Sequence, residues 1–144
     1  MARAPDLMCP SADPGSYGAS LFGLIVGTPE RPETAYLDTA QAVTPELLAL
    51  AEPASPTEMF RFASRCIARA CGHFDHDREM CRFGEKTVRM APVVVNQLPT
   101  CAIRASCRWW HQHAEAACLR CPQVVRTCFN ADSPVRQAAD PRIF

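Results

Sequence analysis

Nine cysteines in 144 residues are the groups in this chain best suited to chemistry: Cys9, Cys66, Cys71, Cys81, Cys101, Cys107, Cys118, Cys121 and Cys128. Their spacing repeats. Cys66-x4-Cys71-x9-Cys81 is followed by Cys101-x5-Cys107-x10-Cys118, so matching cysteines lie 35, 36 and 37 residues apart. The neighbours match as well. Each half has an arginine three residues after its first cysteine (Arg69, Arg104) and an aromatic three residues after its second (Phe74, Trp110). Two related ligand sets are the expectation.

Each half supplies three thiols, and a soft metal centre usually takes four. Cys121 completes the second set through Cys118-x2-Cys121, a spacing that aims both sulfurs at one point. In the first half Gly84 occupies the corresponding position, so Cys9, delivered by the N-terminal arm, is the candidate fourth ligand. Exchange of cysteines between the sets stays open, since two-cluster proteins share ligands across sites. Cys128 is left over and is expected to be a free thiol.

Structural zinc favours two close Cys-x2-4-Cys pairs. This chain has one pair as tight as Cys118-x2-Cys121, and its other spacings are looser. Iron–sulfur clusters gather thiolates from scattered loops, so uneven spacing suits one or two [4Fe-4S] clusters better, with Zn2+ the alternative. Phe74, Phe83, Trp109 and Trp110 would form an apolar shell that limits water. His73 is a substitute ligand that eight suitable thiols make unnecessary. Arg104 and Arg108 either donate toward an anionic cluster or lie on an exposed helix face. A thioredoxin-like pair would follow a strand, whereas Cys118-x2-Cys121 follows a helical stretch. No nucleophile–base pair, phosphate loop or Walker lysine is present, so catalysis is not visible. Without metal, residues 60–128 are expected not to fold.

Composition narrows the context. Lys plus Arg total 15 and Asp plus Glu total 15, a balance that offers nothing to nucleic acid or to an anionic membrane surface. The longest apolar run, residues 21–26, is too short to cross a bilayer. The first thirty residues lack the pattern of a secretory leader. The expectation is a cytoplasmic protein, whose thiols are kept reduced and available to metal. An odd number of cysteines also argues against a closed disulfide set.

The elements that must position the thiols point to an α+β fold: a small N-terminal β-hairpin region followed by a cysteine-rich, mostly helical metal-binding region. Residues 1–58 hold an irregular arm (1–20), strands at 21–26 and 34–37, and a short helix that Thr44-Pro45 starts. Residues 59–128 form the cysteine-rich region. Residues 59–63 suit either a strand or one helical turn. One helix is expected over 85–98, bent at Pro92, and another over 104–117. Residues 129–144 have little to bury and read as a flexible tail, the whole making one compact domain.

The run 98–112 with Cys101, Cys107, Trp109 and Trp110, the run 117–125 with Cys118 and Cys121, Cys71-Gly-His-Phe-Asp, and the opening Met8-Cys9-Pro-Ser together resemble a family of small uncharacterised bacterial proteins often labelled "nitrogen fixation protein". The resemblance spans nearly the whole chain to Val125. It implies a shared framework of Cys9, Cys66, Cys71, Cys81, Cys101, Cys107, Cys118 and Cys121, with Cys128 outside it. It also implies a glycine near Ala114 and an altered local helix geometry where alanine stands. The expected function is a small iron–sulfur protein in electron transfer, redox sensing or an accessory role beside a redox partner protein or oxidoreductase. The alternative is a structural zinc interaction module. A third possibility, an enzyme with an open iron, needs one site with only three protein ligands.

Overall fold

The computed structural model describes residues 6–126 and 133–144. Cys128, the expected free thiol, lies outside the described residues. The fold is mixed α+β. An antiparallel sheet of β1 (Met8–Ala12), β2 (Ser20–Gly27), β3 (Pro32–Ala42) and β4 (Phe60–Arg65) runs in the order β1-β4-β2-β3. Strands β2 and β3 are joined by a tight turn in which Thr28 and Arg31 exchange backbone hydrogen bonds at 3.1 and 3.3 Å. Gly27 sits there at φ 83°, a value a side chain rarely tolerates.

Of residues 59–63, open between strand and helical turn, Met59 ends a short helix and 60–63 belong to strand β4. Its neighbours β1 and β2 bury Phe62 and Ala63 almost completely. Part of the expected irregular arm is strand as well. β1 pairs with β4 (Met8 opposite Arg65, Cys9 opposite Ser64) despite Pro10, because the proline falls on an edge strand where the register shifts. That pairing carries Cys9 to the strand leading into Cys66. The sheet therefore spans residues on both sides of position 58.

Two small helices, α1 (Pro45–Ala49) and α2 (Pro56–Met59), link β3 to β4. Thr44 caps α1 by accepting from the Leu47 N–H at 3.1 Å, as its sequence predicts. Beyond β4 come a two-stranded ribbon of β5 (Phe74–Asp75) and β6 (Met80–Cys81), then helices α3 (Arg82–Met90), α4 (Arg108–His113) and α5 (Glu115–Cys118).

Three expectations change. The bent helix over 85–98 is instead α3, which stops at Met90. Ala91, the residue before Pro92, is extended at ψ 145° because the proline ring excludes the helical conformation there. The helix over 104–117 is three pieces: a 3-10 turn (Arg104–Ser106), α4, and α5 after a break at Ala114. Within the expected flexible tail, Pro134–Ala139 forms α6. Ser133 caps this helix, and it buries Val135 and Ala138 in the core shared by Phe22, Phe83, Trp109 and Val124.

Candidate metal centres

The repeat in the sequence is a repeat in the backbone. Cys66 leads into a 3-10 turn (Ala68–Ala70) and Cys101 into its counterpart (Arg104–Ser106). The residue before each turn has nearly the same conformation, Ile67 at φ −85°, ψ 2° and Ile103 at φ −104°, ψ 0°. Cys71 and Cys107 then close the turns in extended conformation, donating to Ala68 and Arg104 at 2.8 and 3.1 Å. The third cysteines are placed differently. Cys81 caps α3, and Cys118 ends α5.

The eight thiols are free and fall into two groups. Cys9, Cys66, Cys71 and Cys81 line one cavity of about 500 Å3, and Cys9 lies within electrostatic reach of the other three. Cys101, Cys107, Cys118 and Cys121 line a second cavity of about 20 Å3, and Cys107 and Cys118 each lie within electrostatic reach of Cys101 and Cys121. Cys9 thus shares a cavity with the first half of the repeat and Cys121 with the second. Among the described residues, no three cysteine, histidine or carboxylate side chains stand close enough together to hold a single metal ion.

The sulfurs are surrounded by donors. The N–H two residues ahead points at the sulfur of Cys9 (from Ser11), Cys66 (from Ala68) and Cys71 (from His73), each at 3.4 Å. The same relation holds for Cys81 with Phe83, Cys101 with Ile103 and Cys107 with Trp109. Hydrogen bonds of this kind favour sulfur carrying negative charge. Burial opposes that charge. It pushes the thiols of Cys9 and Cys107 up to about 12 and raises those of Cys81, Cys101 and Cys118.

Each group also has a buried guanidinium. Arg108 donates through Nε to Cys66 Sγ at 3.0 Å and lies over the Phe74 ring. Arg61, only 4% exposed, donates to Cys121 Sγ at 3.0 Å, to the Cys121 and Pro10 carbonyls at 2.8 and 3.0 Å, and to Thr34 Oγ1 at 3.3 Å. Desolvation works against the Arg61 charge, but the charges of Cys121 and Tyr36 outweigh it and hold the guanidinium above its ordinary value. Burial, then the charge of Cys121, likewise raises Tyr36, whose phenol hydrogen-bonds to that sulfur.

The apolar shell is partly as expected. Phe74, Phe83 and Trp109 line the first cavity, and Trp109 lines the second too. The half-buried Trp110 lies instead beneath the Arg104 guanidinium. Gly84, the position without a fourth cysteine, has a packing role: a Cβ there would stand 2.8 Å from Trp109 Cδ1. The indole N–H of Trp109 in turn donates to Cys81. His73 lines the first cavity with Nδ1 buried and unpartnered, and burial, with Lys86 and two arginines, lowers it to about 4, so it is neutral near pH 7. Arg61 and Tyr36 were not singled out by the sequence reading. The sequence places Tyr36 in an expected strand and leaves Arg61 between a strand and a helical turn.

Comparison with protein-family models, with curated proteins and with solved structures found no match.

Proposed function

We propose that this is an iron–sulfur protein holding one or two [4Fe-4S] clusters on Cys9, Cys66, Cys71, Cys81 and on Cys101, Cys107, Cys118, Cys121. On this reading it acts in electron transfer, in redox sensing or as an accessory factor beside a redox partner protein. The observation that carries the proposal is the environment of the sulfurs. Four thiols share one cavity, backbone N–H groups aim at them, and a buried guanidinium stands against one of them. A cluster bound by four thiolates carries a net charge of about −2, which those donors and Arg108 would stabilise. When bound, the cluster would supply one-electron chemistry. The residues of the chain ligate it, screen it from water and tune its charge.

The donor set fits a cluster in both groups, and the first cavity has room for one. The second cavity holds about one water's worth of space, so its walls must give on loading. That small volume is the one feature favouring the alternative of structural zinc, and it does so only at the second group. Zinc would need its ligands gathered around a single ion, and no group of three such side chains stands so among the described residues. Fully reduced thiols suit the cytoplasm, and no described helix is long and apolar enough to cross a membrane.

Anaerobic purification followed by iron and acid-labile sulfide analysis tests the proposal. Iron and sulfide in equal amounts, with absorbance near about 400 nm from thiolate-to-iron charge transfer, are expected. A colourless, iron-free and fully folded protein would overturn it. Stoichiometric zinc without that absorbance would give the alternative.

A further inference from the structure

We infer that the two cysteine groups are coupled, so that filling either one raises the metal affinity of the other, and that Arg108, Trp109, Pro10 and Arg61 carry the coupling. The inference rests on the reading of both groups as metal centres.

Two bridges support it, and they run in opposite directions. In the first, Cys107 belongs to the second group. The next residue, Arg108, donates to Cys66 of the first group at 3.0 Å. The residue after that, Trp109, donates its backbone N–H to Cys107 and its indole N–H to Cys81, one donor to each group. In the second bridge, Cys9 belongs to the first group and is followed by Pro10. The Pro10 carbonyl accepts from Arg61 at 3.0 Å, and Arg61 donates to Cys121 of the second group at 3.0 Å. Pro10 and Trp109 are walls of both cavities. An isolated parallel bridge between Met8 and Cys107 ties the two segments together at the backbone.

Metal in one group would fix its ligating cysteine, and with it the neighbour that serves the other group. The ordering needed to fill the second group is then already partly done, and coupling of this kind is reciprocal. Neither bridge needs a conformational switch. The first needs only that a ligand and a donor be consecutive in the chain, and the second that a ligand be followed by the carbonyl that holds the donor.

The experiment uses the full chain, reduced and metal-free, titrated anaerobically with ferrous iron and sulfide at equilibrium. Native mass spectrometry counts the clusters. Cys71→Ser and Cys118→Ser, at positions outside both bridges, give the loading constant of each group with the other disabled. The overall constant for loading both groups in the unsubstituted protein is expected to exceed the product of those two constants at least about fivefold. Arg108→Gln should bring that ratio toward one. Leu47→Ala, on α1 and away from both bridges, should leave it high even though it lowers stability. A ratio of one in the unsubstituted protein overturns the coupling and leaves the iron–sulfur reading standing. Failure of the unsubstituted protein to take up iron at any ratio of sulfide overturns both. If Arg108→Gln does not fold, the unsubstituted protein and the two serine variants still decide.

Discussion

Arg61 on β4 reaches across the sheet to place its guanidinium 3.0 Å from the sulfur of Cys121, a residue sixty positions later in the chain. A cation 4% exposed, with no carboxylate among its hydrogen-bond partners, is costly unless anionic charge arrives beside it. A metal-bound thiolate centre brings that charge. Removing the guanidinium should disfavour the more negative, reduced state of the centre. Arg61→Gln is therefore expected to shift one reduction potential of the iron-loaded protein negative, by about 60 mV for each tenfold loss of stabilisation. Arg61→Lys, which keeps the charge, should shift it less. Voltammetry of the two variants checks this, and equal shifts would remove charge as the cause.

Ala114 separates α4 from α5 at φ 51°, ψ −132°. An L-residue with a Cβ enters that region only at a cost of about 1–3 kcal/mol, whereas glycine enters it freely. The break turns Cys118 toward the second cavity, so the strain supports the ligand set. Ala114→Gly is expected to stabilise the protein by about 1 kcal/mol, raising its thermal midpoint without changing iron content. An unchanged or lower midpoint would show that the conformation is not strained.

What the sequence could disclose depended on distance along the chain. Within each half the spacing of the cysteines is local and the pattern occurs twice, whereas Cys9 reaches the first half only through the pairing of β1 with β4. The 3-10 turns before Cys71 and Cys107 show the repeat in backbone angles. The helix ends were misread where one residue overrules a periodic pattern: Ala91 is extended ahead of Pro92, and Ala114 breaks an otherwise helical run. Arg61 and Tyr36 were invisible because strands bring them to Cys121 only once the sheet has docked on the cysteine-rich half. No spacing records that contact.

In metal-free protein that keeps this fold, against the expectation that residues 60–128 need metal to fold, burial should make the thiols unequal. Thiolate is the reactive form, and at pH 8 a thiol raised to about 12 is ionised only to about one part in ten thousand. Cys9 and Cys107 are raised to that value by desolvation. Both should be among the last cysteines alkylated by iodoacetamide. Their labelling rate should keep rising about tenfold per pH unit above pH 9, where an ordinary thiol levels off. Peptide mapping after timed labelling reads this directly. Early modification of Cys107 would mean that its wall opens readily.

The C-terminal helix shows how a segment with few apolar residues can still be held in place. Lys86, on α3, is 1% exposed, and its ammonium donates to the carbonyls of Asp140 (2.7 Å) and Ile143, both beyond α6. Phe144 lies against the Arg82 guanidinium with 4.1 Å between the charge centre and the ring, and Ala139 and Pro141 form part of the first cavity's wall. The segment thus satisfies a buried cation and closes the space around Cys9, Cys66, Cys71 and Cys81. Removing residues 134–144 takes away both carbonyls and the burial of Val135 and Ala138, and is expected to cost about 3–5 kcal/mol. In the truncated protein Lys86→Met should recover part of that loss, since a side chain of similar length no longer leaves a charge without partners. Denaturant midpoints of the two truncated forms decide the matter: identical values would mean that the ammonium finds water once the helix is gone, and that the carbonyls hold the segment rather than the lysine needing them.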